Sequence, residues 1–187
     1  MRINTSTLLF TLTSASLLLM APTGCTEEAD EVGAEGETGG DGDGDSDLDE
    51  AAVIAAAMGY RDNFVLINAA PFASAHMGAM VNIYAHPDVA DQYKAIDQDA
   101  PVATSFPEGA MFVKENIDGE GNPDGGTIMY KGPVGYSEGS GDWWFGMGDI
   151  LAGELADSGP DLGGCIGCHE GLSETDWLQG VAADNQN

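Results

Sequence analysis

The chain has 187 residues, with 32 acidic and 5 basic side chains, a formal net charge of −27 and only 7% aromatics. That length holds one domain of ordinary size plus extensions. The charge excludes nucleic acid as a partner, since a polyanion needs a basic stripe, and it repels the chain from an anionic membrane surface.

Arg2 is the sole charged side chain of residues 1–24, ahead of an apolar and hydroxyl stretch from Leu8 to Met20 (LLFTLTSASLLLM) and then Ala21-Pro22-Thr23-Gly24. A basic start, a short apolar run and small residues make a secretory signal over 1–24. The run falls short of the roughly 20 residues that cross a bilayer. Small residues directly before Cys25 resemble the lipobox of bacterial lipoproteins. That resemblance implies cleavage before Cys25 and a lipid on its thiol. It also implies a place in the cell envelope, facing the periplasm from the outer membrane with the lipid as the membrane's hold on the chain; the alternative is an exported protein without the anchor.

Residues 25–50 combine that cysteine with an acidic, glycine-rich stretch holding twelve of the acids. With so few large apolar groups it cannot offset the entropy of ordering, and it reads as a flexible tether. Asp41, Asp43, Asp45, Asp47 and Asp49 alternate in a way that prompts a calcium loop. An EF-hand loop needs glycine sixth and glutamate twelfth. Counting from Asp41 gives Ser46 and Ala52, and from Asp43 Leu48 and Ile54, so a solvated linker is the better reading.

A globular composition begins at residue 51 and extends to 187. Ala51 to Met58 has high helix propensity and predicts a short helix ending at Gly59. Phe64 to Asn68 is a short apolar run between turn residues. Ala79 to Ala85 predicts a strand with Met80, Asn82 and Tyr84 on one face and Val81 and Ile83 on the other. Pro87-Asp88 opens a helix along which Val89, Tyr93 and Ile96 recur at helical spacing. Ala110–Glu115 and Thr127–Lys131 predict two strands of a hairpin, joined by the turn-rich DGEGNPDGG at 118–126. Asp142 to Gly148 adds a further strand, and the remaining glycine-rich stretches carry no clear periodicity.

Chemistry concentrates in Cys165-Ile166-Gly167-Cys168-His169. Two thiols three positions apart can add to the two vinyl groups of haem while the adjacent imidazole reaches the iron, which is the signature of c-type haem attachment. A redox dithiol, a zinc site and a plain disulfide use the same residues. The dithiol usually sits early in a βαβ unit, zinc wants four ligands, and a disulfide suits an exported protein. Export is also the setting in which c-type haem is attached. His169 is then the axial ligand. The eight methionines, His76 and His86 are candidates for the sixth position, and none has a spacing that marks it. A histidine outside such a motif is more often a surface or hydrogen-bonded residue.

The stretch Ile128–Trp144 (IMYKGPVGYSEGSGDWW), then GCIGCHEG and Thr175-Asp176-Trp177, resembles the C-terminal half of cytochrome P-460 domain proteins. Upstream, the strand and helix from Tyr84 to Tyr93 and then EGAMFVKEN fit in order, so the resemblance covers about residues 59–181. It implies an α+β fold, with a curved antiparallel β-sheet packed with helices and a C-terminal c-type haem-binding segment, often as a homodimer. The family's best-known members carry a lysine cross-linked to the haem, hold five-coordinate iron and oxidise hydroxylamine. That lysine matches Lys114. A related branch, cytochrome c-prime-beta, lacks the cross-link and binds small gases such as nitric oxide.

Read as a residue on a strand, Lys114 shares a face with Ala110 and Phe112, while Met111, Val113 and Glu115 point oppositely. If the Phe112 face lines a pocket, burial lowers the amine's pKa and leaves it nucleophilic; otherwise Lys114 ends the strand in solvent near an acid. Lys131, at a similar strand end, is expected to be structural or on the surface. Trp143 and Trp144 fall on opposite faces, so one is expected in the core. Asp142 is expected to fix the turn after Gly141, and Asp176 and Trp177 to cover the edge of the haem motif. The expected function is oxidation of hydroxylamine or a nitrogen oxide at haem c, with electrons leaving to a periplasmic carrier. The alternative is a gas-binding or electron-carrying cytochrome.

Overall fold

A computed structural model describes residues 48–187 apart from Met77, Asp97 and Asp99. The expected signal segment, Cys25 and the part of the expected tether up to residue 47 lie outside the described residues.

The first helix, α1 (Glu50–Met58), starts at Asp49, whose carboxylate accepts from Ala52 N at 3.0 Å, and passes through alanines to Gly59. A four-residue turn of helix, α2 (Tyr60–Asn63), follows, then the short strands β1 (Val65–Leu66) and β2 (Phe72–Ala73) and the longer β3 (Met80–Ala85). Proline at the first turn and an acid beside it favour α3 (Pro87–Lys94), which buries Val89, Ala90 and Tyr93. The imidazole of His86 caps this helix by accepting from Asp88 N at 3.4 Å. Four strands complete the sheet: β4 (Met111–Ile117), β5 (Pro123–Lys131), β6 (Trp143–Asp149) and β7 (Glu154–Gly159). The last helix, α4 (Gly163–His169), carries the cysteine motif and runs into a 3-10 segment at Glu170–Thr175. Among the described residues no helix is long and apolar enough to cross a membrane.

The described strands form one open antiparallel sheet of seven, in the order β1-β3-β4-β5-β6-β7, with β2 also pairing with β3. The mixed helix-and-strand class expected from the sequence is therefore observed. The β4–β5 hairpin is tighter than expected, because part of DGEGNPDGG belongs to β5. Asp118 explains the short turn: its carboxylate accepts from Glu120 N at 2.9 Å and Asn122 N at 2.7 Å, which reverses the chain before Pro123. The glycines behind it serve the sheet. A Cβ on Gly126 would overlap the Lys114 carbonyl and stand 2.6 Å from Ile150 Cδ1.

Both faces of the sheet are covered, so there are two cores. On one face Ala85, Phe112, Met129, Trp143 and Phe145 pack with α3, Phe106, Leu178 and Val181. On the other, Tyr84, Met111, Val113, Ile128 and Trp144 pack with Val53, Ala57 and Tyr60 of the N-terminal helices. This corrects the expectation that one tryptophan enters the core. Trp143 and Trp144 are both fully buried, one on each side, because helices cover what would otherwise be a solvent face. Trp143 Nε1 donates to Asp176 at 3.3 Å, whereas Trp144 Nε1 finds no hydrogen-bond partner among the described residues.

Candidate functional site

The face bearing Phe112 also carries the pocket. Phe72, His76, Ile83, Phe112, Lys114 and His169 contribute to its wall, with Met129 and Tyr93 deeper in. Its volume is about 140 Å³, open to solvent on one side, which is room for a small molecule.

Helix α4 brings His169 to this wall. Leu162, Cys165, Ile166 and His169 recur at three- and four-residue steps and so share one side of the helix. Leu162, Cys165 and Ile166 pack against the Trp143 core. Two glycines open the helix and weaken it locally, so this packing is what holds it. Cys165 is a half-buried free thiol, and burial pushes its pKa up. Cys168 stands as a disulfide cysteine, so a thioether there requires reduction first.

His169 is oriented by the chain that follows it. Its Nδ1 lies 2.6 Å from the Trp177 carbonyl, which can only accept, so Nδ1 carries the proton and Nε2 keeps its lone pair. A ring nitrogen bonded to a backbone carbonyl is the usual companion of a metal-ligating one. Burial pushes His169 below the ordinary histidine range; the bond to Trp177 opposes this and the Lys114 charge adds to it. The ring also stands 5.8 Å from Phe145, centre to centre.

The Trp177 carbonyl is held by an unusual piece of backbone. Asp176 (φ 52°) and Trp177 (φ 70°) are both left-handed without being glycine. Such a conformation persists when its surroundings over-determine it. Asp176 accepts from Phe106 N at 2.7 Å and from Lys131 Nζ at 2.6 Å, and Lys131 Nζ also donates to the Gly141 carbonyl at 2.8 Å. Trp177 N donates to the Leu172 carbonyl at 2.9 Å. Lys131 is therefore structural, in a largely buried ion pair, and Asp176 and Trp177 do adjoin the motif. Asp142 accepts from Ser137 N at 3.0 Å and fixes the turn after Gly141, as expected.

Lys114 faces the pocket, on the Phe112 side of β4. Burial lowers its pKa from 10.5 to about 8, opposed by Cys165, and among the described residues no carboxylate forms an ion pair with it. Of the two readings open from the sequence, the pocket one is realised. Its neighbour Glu115 lies on the opposite face, where Tyr60, Arg61 Nε at 2.7 Å and Asn82 at 3.1 Å bond to it.

His76 keeps the surface position expected for it, yet it also adjoins the pocket. Although it belongs to an exposed turn, its ring lines the pocket with its centre 5.8 Å from that of His169. Burial against the wall lowers its pKa, and Lys114 and His169 lower it further. The sequence held no signal for this, because the turn before β3 has no periodicity. Nothing in the sequence marked the Trp177 carbonyl either, since a backbone atom carries no residue code.

Among the described residues no group of three or more His, Cys, Asp or Glu side chains could by itself hold a metal ion. Haem brings four ring nitrogens of its own and asks the protein for one side-chain ligand, a role open to the oriented His169; Cys165 and Cys168 are on the same helix but are not among the residues lining the pocket. No protein-family model matches the chain, and no curated protein matches it significantly.

Proposed function

We propose that the domain is an exported c-type haem protein that oxidises hydroxylamine or a nitrogen oxide. In this reading Cys165 and Cys168 hold haem c by thioether bonds and His169 is the axial ligand. The observation that carries it is the 2.6 Å pairing of His169 Nδ1 with the Trp177 carbonyl, which leaves Nε2 as a ready ligand on the helix that bears both cysteines. Bound haem supplies an iron that takes the nitrogen of a small molecule and passes electrons on, here to a periplasmic electron carrier.

The chain's own residues do the rest. Cys165 offers a thiol as it stands, whereas Cys168 would first need its disulfide opened by a two-electron thiol reductant; each S–H would then add across a vinyl C=C, the sulfur to one carbon and the proton to its neighbour. Phe72, Ile83 and Phe112 exclude water from the inner pocket, and Lys114 adds a partly neutral amine near pH 8. That amine can accept a proton from a bound substrate. In the P-460-like version Lys114 would instead be the amine that joins the macrocycle. The lipid on Cys25 anchors the domain to the cell envelope through the acidic tether.

A second reading, a gas-binding or electron-carrying cytochrome, is favoured by the closeness of His76 to His169. The test begins with the exported full chain on a denaturing gel stained for haem. Haem stays with the wild-type band and is lost from Cys165→Ser with Cys168→Ser. Extraction of haem from intact protein by acid acetone overturns the proposal. A strongly red-shifted ferrous Soret band that reverts in Lys114→Arg supports the cross-link, and identical spectra remove it.

A further inference from the structure

His76 belongs to the turn joining β2 to β3, which is closed by Ser74 N to the Ala79 carbonyl at 2.9 Å and Ala79 N to the His76 carbonyl at 3.1 Å. These bonds are made by the backbone. Among the described residues no hydrogen bond to the His76 ring is found, whereas the ring of His86 is committed to capping α3. An imidazole nitrogen sits roughly 2 Å from a bound transition metal and the ring centre roughly 1 Å beyond it, so imidazoles on opposite sides of one metal have centres roughly 6 Å apart. The observed separation is 5.8 Å. A ligand molecule between His76 and the metal would require a clearly longer separation.

Resting on the haem reading above, we propose that His76 is the second axial ligand of the iron held by His169, so that the resting site is six-coordinate and a small ligand enters by displacing His76. The turn suits such exchange, because its ends are pinned to the sheet while the side chain is solvent-exposed at the mouth. Gly78 in the same turn, at φ 73°, supplies the left-handed step that lets the chain return to β3. Met129 is the competing ligand, since it also lines the pocket, but it is buried in the core beside Phe112, its partner across β4 and β5.

The experiment uses the full exported chain with its haem attached, compared with His76→Ala and His76→Gln, by absorption and electron paramagnetic resonance of the ferric form. Wild type gives a low-spin spectrum of two nitrogen ligands, and both variants give a high-spin one. Added imidazole restores the low-spin form in His76→Ala. A ligand that must wait for an open site binds with its affinity divided by the open fraction, so with a tenth or less of sites open the variants bind carbon monoxide or nitric oxide roughly tenfold tighter or more. High-spin iron in the wild type, a thioether-ligand spectrum, or variants with the wild-type spectrum overturns the proposal and leaves the haem reading standing. A chain recovered without covalent haem overturns both.

Discussion

Replacing Lys114 by methionine tests whether the pocket wall destabilises the charged amine. A cation whose pKa is lowered on folding weakens the fold while it is charged. The drop from 10.5 to about 8 corresponds to about 3 kcal/mol, at about 1.4 kcal/mol per pH unit. Residual access of the amine to water brings the expectation to about half of that. Between pH 8 and 10.5 the folded amine has released its proton and the unfolded one has not. The unfolded state then binds more protons, so wild-type stability rises with pH through this window. Lys114→Met lacks the term. Urea unfolding of haem-free protein, made without export, should find Lys114→Met more stable than wild type at pH 7 by about 1–3 kcal/mol, with the gap narrowing towards pH 10.5. Taking the difference removes the tyrosines, which titrate in both proteins, and Cys165, whose thiol interacts with Lys114, is replaced by serine in both. A gap that stays constant from pH 7 to 10.5 would refute the desolvated amine, and with it the case for Lys114 as a nucleophile.

Three further outcomes follow from the packing and the leader. Gly126→Ala should lower stability by about 2 kcal/mol or more, since its methyl meets a Lys114 carbonyl that is fixed in the sheet, and wild-type stability would show that the strands separate there at little cost. Asp176→Asn keeps a residue that tolerates left-handed backbone yet leaves Lys131 unpaired, so urea unfolding should show a loss of about 3 kcal/mol, partly recovered by adding Lys131→Met. Losses under about 0.5 kcal/mol for the single variant would mean the pair is solvated. Cys25→Ser should move the full chain from the membrane to the soluble fraction, and equal partitioning of both proteins would remove the lipid anchor.

Local pattern alone determined much of this protein. The alanine run of α1, the Pro-Asp start and apolar spacing of α3, and the alternation along β3 and β4 each depend on residues within a few positions of one another. The same short range put Lys114 with Phe112 and sent Trp143 and Trp144 to opposite faces. It also marked Cys165, Cys168 and His169 as a group, since their spacing alone carries the motif. Tertiary structure decided the rest. Whether a strand face meets water depends on what packs over it, so burial of both tryptophans needed helices placed by distant sequence. The length of the β4–β5 turn rested on how one aspartate gathered backbone amides. His76 meets His169 only because β2 and β3 occupy one edge of the sheet and the C-terminal segment folds back across that face, and such a meeting of irregular segments leaves no periodic trace in either. The Trp177 carbonyl is a backbone atom, aimed by a left-handed pair of residues that Asp176 and Lys131 secure, and only three-dimensional packing selects that conformation over the commoner ones.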